Sequence, residues 1–201
     1  MKRIIHSLAA ILVTLAMTSS ACAETTPVPQ STSPDGAFRL EVVAPIERYE
    51  PSVLSLVDAR TNKTLSATVL GGYATYPLDA DPMNLGLLWS PDSQHFILMV
   101  RDTKRSWTSR IYSVAERKMT CIELPSATAK ALVEVKSSDG IFRACRETPL
   151  KWLDADHPMV RASGDTELKK HVIWYEVDIT YTISEKKITE SKLITTKPHE
   201  G

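Results

Sequence analysis

The sequence predicts an all-β chain of two to three antiparallel repeat units, and three observations lead there. A Ser-Pro-Asp turn running into an apolar strand occurs twice, at Ser33 and at Ser90, 57 residues apart. Residues 172–183 alternate strictly, with Ile173, Tyr175, Val177, Ile179, Tyr181 and Ile183 on one face and Trp174, Glu176, Asp178, Thr180 and Thr182 on the other. That period of two belongs to a strand with one buried and one wet face. Finally, Tyr181 to Ile188 echoes Tyr112 to Met119 position by position.

The organising stretch runs from Trp89 to Val100. Pro91 presets φ for a turn, and Asp92 and Ser93 are placed to bond back to the turn backbone. Phe96 to Val100 has the length and unbroken apolarity of a strand buried on both faces. The strand Arg110–Val114, a charged turn and Met119–Leu124 follow. Upstream, Ser33-Pro34-Asp35-Gly36 leads into 38–43, then 52–58, a turn around Lys63, and 65–70. Downstream, Leu150 to Asp154 repeats the Trp89 approach without the Ser-Pro-Asp turn. Turn, strand, turn, strand, charged turn, strand, at a period of roughly 40–60 residues, is the pattern of propeller blades or similar antiparallel units. Trp89 and Trp152 occupy equivalent positions and are expected in the core.

These residues resemble the WD40-like Ser-Pro-Asp-Gly repeats of periplasmic, TolB-type β-propellers. The resemblance is good over 33–64 and 89–124 and loose over 150–190. It implies blade-like β-structure, and it implies no activity. A closed propeller has at least about four blades, so three units leave an incomplete propeller, an open sandwich, or a ring completed by a second copy.

Before the repeats, residues 1–23 read as an export signal. Lys2 and Arg3 form its charged start, Leu8 to Met17 its short apolar core, and Ala21-Cys22-Ala23 a cleavage site. A lipid anchor on Cys22 is the rival reading; the polar Ser19 and Ser20 favour a periplasmic or secreted product over it. Residues 24–32 are expected to be a flexible leader, 33–195 the β-repeat domain and 196–201 a polar tail. Residues 1–23 hold two cations and no acid, so the chain's 24 basic and 24 acidic residues leave 24–201 with a net charge of −2. That gives no electrostatic footprint for nucleic acid, and no later segment is long and apolar enough to be a transmembrane helix.

Cys121 and Cys145 form an even pair in an exported chain, which argues for a disulfide. Closing its loop of about 25 residues stabilises by roughly 3–4 kcal/mol in the loop-entropy account. Between them, Ser126 to Val135 reads as a loop with one helical turn, Ser126 being a possible cap. Lys186-Lys187 suits a hairpin turn, and Ile188 to Ile194 a returning edge strand guarded by Lys192.

No catalytic constellation emerges. His95, His157, His171 and His199 lack metal-ligand spacing, no G-x-S-x-G elbow is present, and Gly71-Gly72 is too little for a phosphate loop. No cofactor and no metal are expected. Asp79-Ala80-Asp81 and Asp154-Ala155-Asp156 are near copies. They read as solvated turns, with a pair of glycosidase-like carboxylates as the alternative. Trp107 and Arg105 lie in a polar hairpin, and Trp174 on the polar face of its strand. Exposed Trp beside Arg is a common binding anchor, so Tyr73, Arg105, Trp107 and Trp174 are the candidate contact residues, the alternative for Trp174 being that it covers a neighbouring sheet. The expected function is an exported, non-enzymatic binding or assembly protein of the cell envelope. Its partner is an envelope protein, or a second copy of the chain. An envelope hydrolase of glycan or peptide is the alternative.

Overall fold

The structure, a computed structural model, describes residues 25–27, 31–43, 52–70, 86–103, 105–137, 142–169 and 171–198. The expected signal (1–23), Tyr73, Lys104, Asp79, Asp81 and His199 lie outside these residues.

The described chain is all-β with one short helix, arranged as three consecutive four-stranded antiparallel meanders. The first comprises β1 (Thr25–Pro27), β2 (Phe38–Val43), β3 (Ser52–Asp58) and β4 (Thr64–Leu70). The second comprises β5 (Leu87–Trp89), β6 (His95–Arg101), β7 (Ser106–Ala115) and β8 (Lys118–Ile122). After helix α1 (Ala127–Glu134) comes the third, built of β9 (Phe142–Trp152), β10 (Pro158–Leu168), β11 (His171–Thr182) and β12 (Lys187–Pro198). The second and third meanders join where β7 and β9 run parallel through the pairs Ser106–Cys145 and Trp107–Arg146. Among the described residues, the sheets fit a propeller-like fold and do not close.

The repeat is visible atom by atom in its turns. Ser33 Oγ donates to Asp35 Oδ1 (2.6 Å), Ala37 N–H donates to the same carboxylate oxygen (3.0 Å), and Phe38 N–H donates to Ser33 Oγ (2.9 Å). Ser90 Oγ donates to Asp92 Oδ1 (2.5 Å), Gln94 N–H to the same oxygen (3.0 Å), and His95 N–H to Ser90 Oγ (2.9 Å). The third turn is one residue shorter and has Leu153 where the others have serine. Asp154 Oδ1 still accepts from Asp156 N–H at 2.8 Å. Asp154 is therefore the repeat's turn aspartate.

A second set of bonds links each unit to the one before. The Trp89 indole N–H donates to the Ser31 carbonyl (3.0 Å), and the Trp152 indole N–H donates to the Leu88 carbonyl (3.2 Å). Each acceptor lies two residues before its unit's turn serine. Trp89 is buried as expected; Trp152 is half-buried and stacks on His95 with ring centroids 6.0 Å apart. His95 is thus held by stacking, and its buried Nδ1 has no hydrogen-bond partner among the described residues.

Two cores result. Leu40, Val42, Leu54, Leu56 and Leu70 of the first meander pack against Phe96, Leu98, Val100, Tyr112 and Val114 of the second. Phe96 stacks on Tyr112 at 4.9 Å and meets Trp89 at 4.9 Å. On the opposite face of the larger sheet, Ile97 and Ile111 join Val160, Tyr175, Val177, Ile179 and Tyr181 under the Ala127, Ala131 and Leu132 face of α1. Strand β6 is buried on both faces, as its sequence requires; β11 alternates as read from Ile173 to Ile179, but Thr180 and Thr182, expected on the wet face, are buried.

Four further expectations need correction. The leader is structured in part: Thr25–Pro27 pairs with β2, and Ser31 is buried. Its polar composition gives no hint of a strand, because β2 supplies the pairing partner. Helix α1 has two turns; Ser126 Oγ caps it by accepting from Ala129 N–H at 3.1 Å, and burial of its alanines on the sheet stabilises the second turn. The polar tail begins later than residue 196, since β12 pairs through Pro198 opposite Ile173. The disulfide is not formed: both cysteines are free, Cys121 exposed and Cys145 buried. Cys121 lies across β7 at Tyr112, whereas Cys145 lies at Ser106. That offset along the strand is roughly 20 Å, far beyond the roughly 4.4–6.8 Å between Cα atoms that a bridge requires.

Two expected outcomes follow. In thiol titration of residues 24–201, Cys121 reacts in the folded protein and Cys145 only on unfolding, while reductant leaves the urea midpoint unchanged. A second expectation concerns the turn aspartates. The Ser33 hydroxyl and the Ala37 N–H hold the Asp35 carboxyl below its usual range against slight desolvation. The Asp156 N–H and His157 do the same for Asp154. Carboxyls with depressed folded-state pKa contribute stability that is full above about pH 4, the unfolded value, and is lost as pH falls through the folded values. Denaturation followed from pH 6 to pH 2 should show stability falling below about pH 4. Asp92→Ala should lower stability by about 1–2 kcal/mol at pH 7.

Candidate functional site

The site is built where the second and third meanders meet. The β6–β7 hairpin is polar at its tip. Arg105 N–H donates to Thr103 Oγ1 (3.2 Å), and Thr103 Oγ1 shares a 2.7 Å hydrogen bond with Ser106 Oγ. The tip is fastened to the third meander by Cys145 N–H donating to the Arg105 carbonyl at 3.0 Å. This junction brings Trp107 beside Arg146 of β9, whose other neighbour in register is Ser163 of β10. One strand further, Trp174 of β11 stands opposite Asp165 of β10.

A cavity of about 310 Å³ opens on this face, lined by Arg105, Trp107, Arg146, Ser163, Gly164 and Trp174. Three of the four sequence-derived contact residues, from the β6–β7 hairpin and from β11, thus share one site. Trp107 lies between strands that each offer it a cation. The Arg101 guanidinium sits 5.6 Å from its ring centroid and that of Arg146 sits 5.7 Å away. Each such contact is worth on the order of 0.5–1 kcal/mol at a partly exposed position. Arg146 Nε is buried and has no hydrogen-bond acceptor among the described residues. An unpaired buried donor costs on the order of 1–3 kcal/mol.

Gly164 forms the floor. A Cβ there would stand 2.0 Å from the Ala144 carbonyl oxygen and 2.9 Å from Cys145 Cα. Only glycine lets β9 and β10 approach so closely at this point, beside a register shift between Asp165 and Thr166. Arg146 and Gly164 carry no signal in the sequence, since the role of Arg146 depends on the parallel β7–β9 pairing and that of Gly164 on the close β9–β10 approach, and no local pattern encodes either.

A larger cavity of about 510 Å³ lies between β7, β8 and the β8–α1 connection, with Arg110, Cys121, Leu124, Glu147 and Tyr181 on its wall. Its buried carboxylate, Glu147, is fully engaged in holding elements together. It accepts from Ser109 N–H (3.0 Å), Thr128 N–H (2.9 Å) and Thr128 Oγ1 (2.8 Å), joining β7 and the first turn of α1 to β9. The Tyr181 hydroxyl donates to the Pro125 carbonyl at 3.1 Å. Desolvation pushes the Cys121 thiol up against the pull of Arg110, and desolvation likewise raises Cys145. Both shifts are opposite to those of an activated nucleophile.

The Asp154 loop is also committed to its own structure. Asp154 lies 2.8 Å from His157 Nδ1. Asp156 accepts from Ser184 N–H (2.8 Å) and Ser184 Oγ (2.6 Å). Partial desolvation raises the Asp156 carboxyl, and the two Ser184 bonds outweigh it, so its pKa is lowered. Ser184 donates its hydroxyl to Asp156 and not to His157, so the three do not form a nucleophilic relay. Among the described residues, no cluster of three His, Cys, Asp or Glu side chains could hold a metal ion. No helix among them is long and apolar enough to cross a membrane.

No protein-family model matches the chain, and no curated protein matches it. Among solved structures, it is similar to a chain from a structural and mechanistic analysis of two prolyl endopeptidases, with 14% sequence identity and a TM-score of 0.42. The match covers 86% of this chain and 22% of that one, so this chain spans about a fifth of that structure's length.

Gly164→Ala should destabilise the fold by about 3 kcal/mol or more, because the obstacle is backbone. Glu147→Ala should cost a similar amount, on the order of 3 kcal/mol, by leaving buried donors of β7 and α1 unpaired. Urea unfolding measures both, and a change under about 0.5 kcal/mol in either would contradict the packing described.

Proposed function

We propose that the chain is an exported, non-enzymatic binding protein of the cell envelope that docks a protein partner on the Trp107–Trp174 face. One observation carries this reading: Arg105, Trp107, Arg146 and Trp174 converge on a single open cavity from segments far apart in sequence. Tryptophan and arginine are the side chains enriched at interface hot spots. The Arg101 and Arg146 contacts also hold the Trp107 ring in place before binding, which reduces the entropy lost on association. Export is supported by the composition of residues 1–23. The hydrolase alternative loses support at Asp154 and Asp156. A general acid needs a raised pKa, and both carboxyls are lowered while bonded to their own loop.

The test is capture from native envelope extract, comparing the tagged chain with a Trp107→Ala/Trp174→Ala variant of matching far-ultraviolet circular dichroism and urea midpoint. A partner recovered near one-to-one by the natural chain should fall by tenfold or more (about 1.4 kcal/mol) with the variant. A partner retained by both proteins, or none recovered by either, would remove this reading.

A further inference from the structure

We propose that this face takes an extended acidic peptide, with a side-chain carboxylate on the Arg105–Arg146 end and an apolar side chain against Trp174. The inference rests on the binding reading above and gives it a chemistry. The cavity is polarised across the strands. At its β7–β9 end stand Arg105, Arg146 and, behind Trp107, Arg101. Among the described residues, Arg105 and Arg146 enter no ion pair. Of the acids on that face, Asp102 is held by Arg110 at 2.8 Å and by Thr108, and Asp178 and Glu176 by Arg161 at 2.7 and 3.5 Å; Asp165, opposite Trp174, brings one negative charge against the three guanidinium groups of Arg101, Arg105 and Arg146. The excess charge at that end is therefore positive. A guanidinium presents a fork of N–H donors that matches a carboxylate. Trp107 is already engaged by two guanidinium groups, so the indole left for an apolar side chain is Trp174.

The spacing selects an extended segment. Arg146 and Trp174 lie two strands apart, roughly 10 Å, and residues i and i+2 of an extended chain project to the same side roughly 7 Å apart. The long arginine side chain closes the difference. An acidic residue two or three positions from a large apolar one fits both ends at once. Arginine clusters reading acidic motifs are an established recognition mode.

The experiment is selection of a displayed random octapeptide library on the C-terminally tagged full chain, processed in its own host. Titration of a synthetic consensus peptide follows, read by tryptophan fluorescence. Selected peptides should carry Asp or Glu two or three positions from Leu, Ile or Phe. Replacing that acid by its amide should weaken binding about tenfold, the loss expected for a charge-assisted hydrogen bond. Arg146→Gln should do the same, and Arg105→Gln, at the exposed tip, serves if Arg146→Gln fails to fold. Neutral or basic consensus peptides, or equal binding by the arginine variants, would overturn the proposal. So would failure to select any peptide while a hexameric uronic-acid oligosaccharide binds. The two ideas fail separately. Neutral peptides with a captured, tryptophan-dependent partner sink only the acidic chemistry; acidic peptides with no envelope partner sink only the envelope role.

Discussion

Everything in this fold depends on β6 being buried twice. Phe96, Leu98 and Val100 face the first meander while Ile97 faces the third and its helix. A strand that is apolar on both sides has no wet face to orient it, so its register must come from elsewhere. It comes from the turn before it. Ser90 and Asp92 satisfy the backbone where the chain reverses, and the Trp89 indole bonds back to Ser31. One short segment therefore sets the position of both cores.

The same device explains how three units of dissimilar sequence stack alike. The indole of each later unit donates to the turn approach of the unit before it, at Ser31 and at Leu88. An indole N–H withdrawn from water finds a partner when it can, and here that need aligns consecutive meanders. The repeat is thus conserved in its hydrogen bonds more than in its letters. Leu153 has replaced serine and the turn is shorter, yet Asp154 accepts the same bond.

How much of this could be read from the sequence follows from the range of each interaction. The Ser-Pro-Asp turns, the doubly buried β6 and the alternation of β11 are local, and the residues display them. Trp107 and Trp174 stand out as candidate contact residues because an indole on a polar hairpin or a polar strand face is anomalous on its own. That they share a cavity with Arg146 was not legible. It depends on β7 meeting β9 in parallel through two residue pairs, across a helix and a loop. The cysteines mislead for the same reason. An even count says nothing of register, and β7 separates them by the length of several residues. The β1 strand was hidden because its pairing is supplied by the distant Val43 to Glu41 edge.

That two-pair junction also orders the assembly of the molecule in time. The third meander consists of nearest-neighbour hairpins of 11 to 12 residues per strand, and hairpins close on the microsecond scale. The β7–β9 pairing joins Trp107 to Arg146 across the whole intervening helix, and contacts of such sequence separation form late. The cation ladder around Trp107 and the cavity beside it therefore do not exist in a half-folded chain. A surface completed only by the last long-range pairing is absent from every earlier stage of folding.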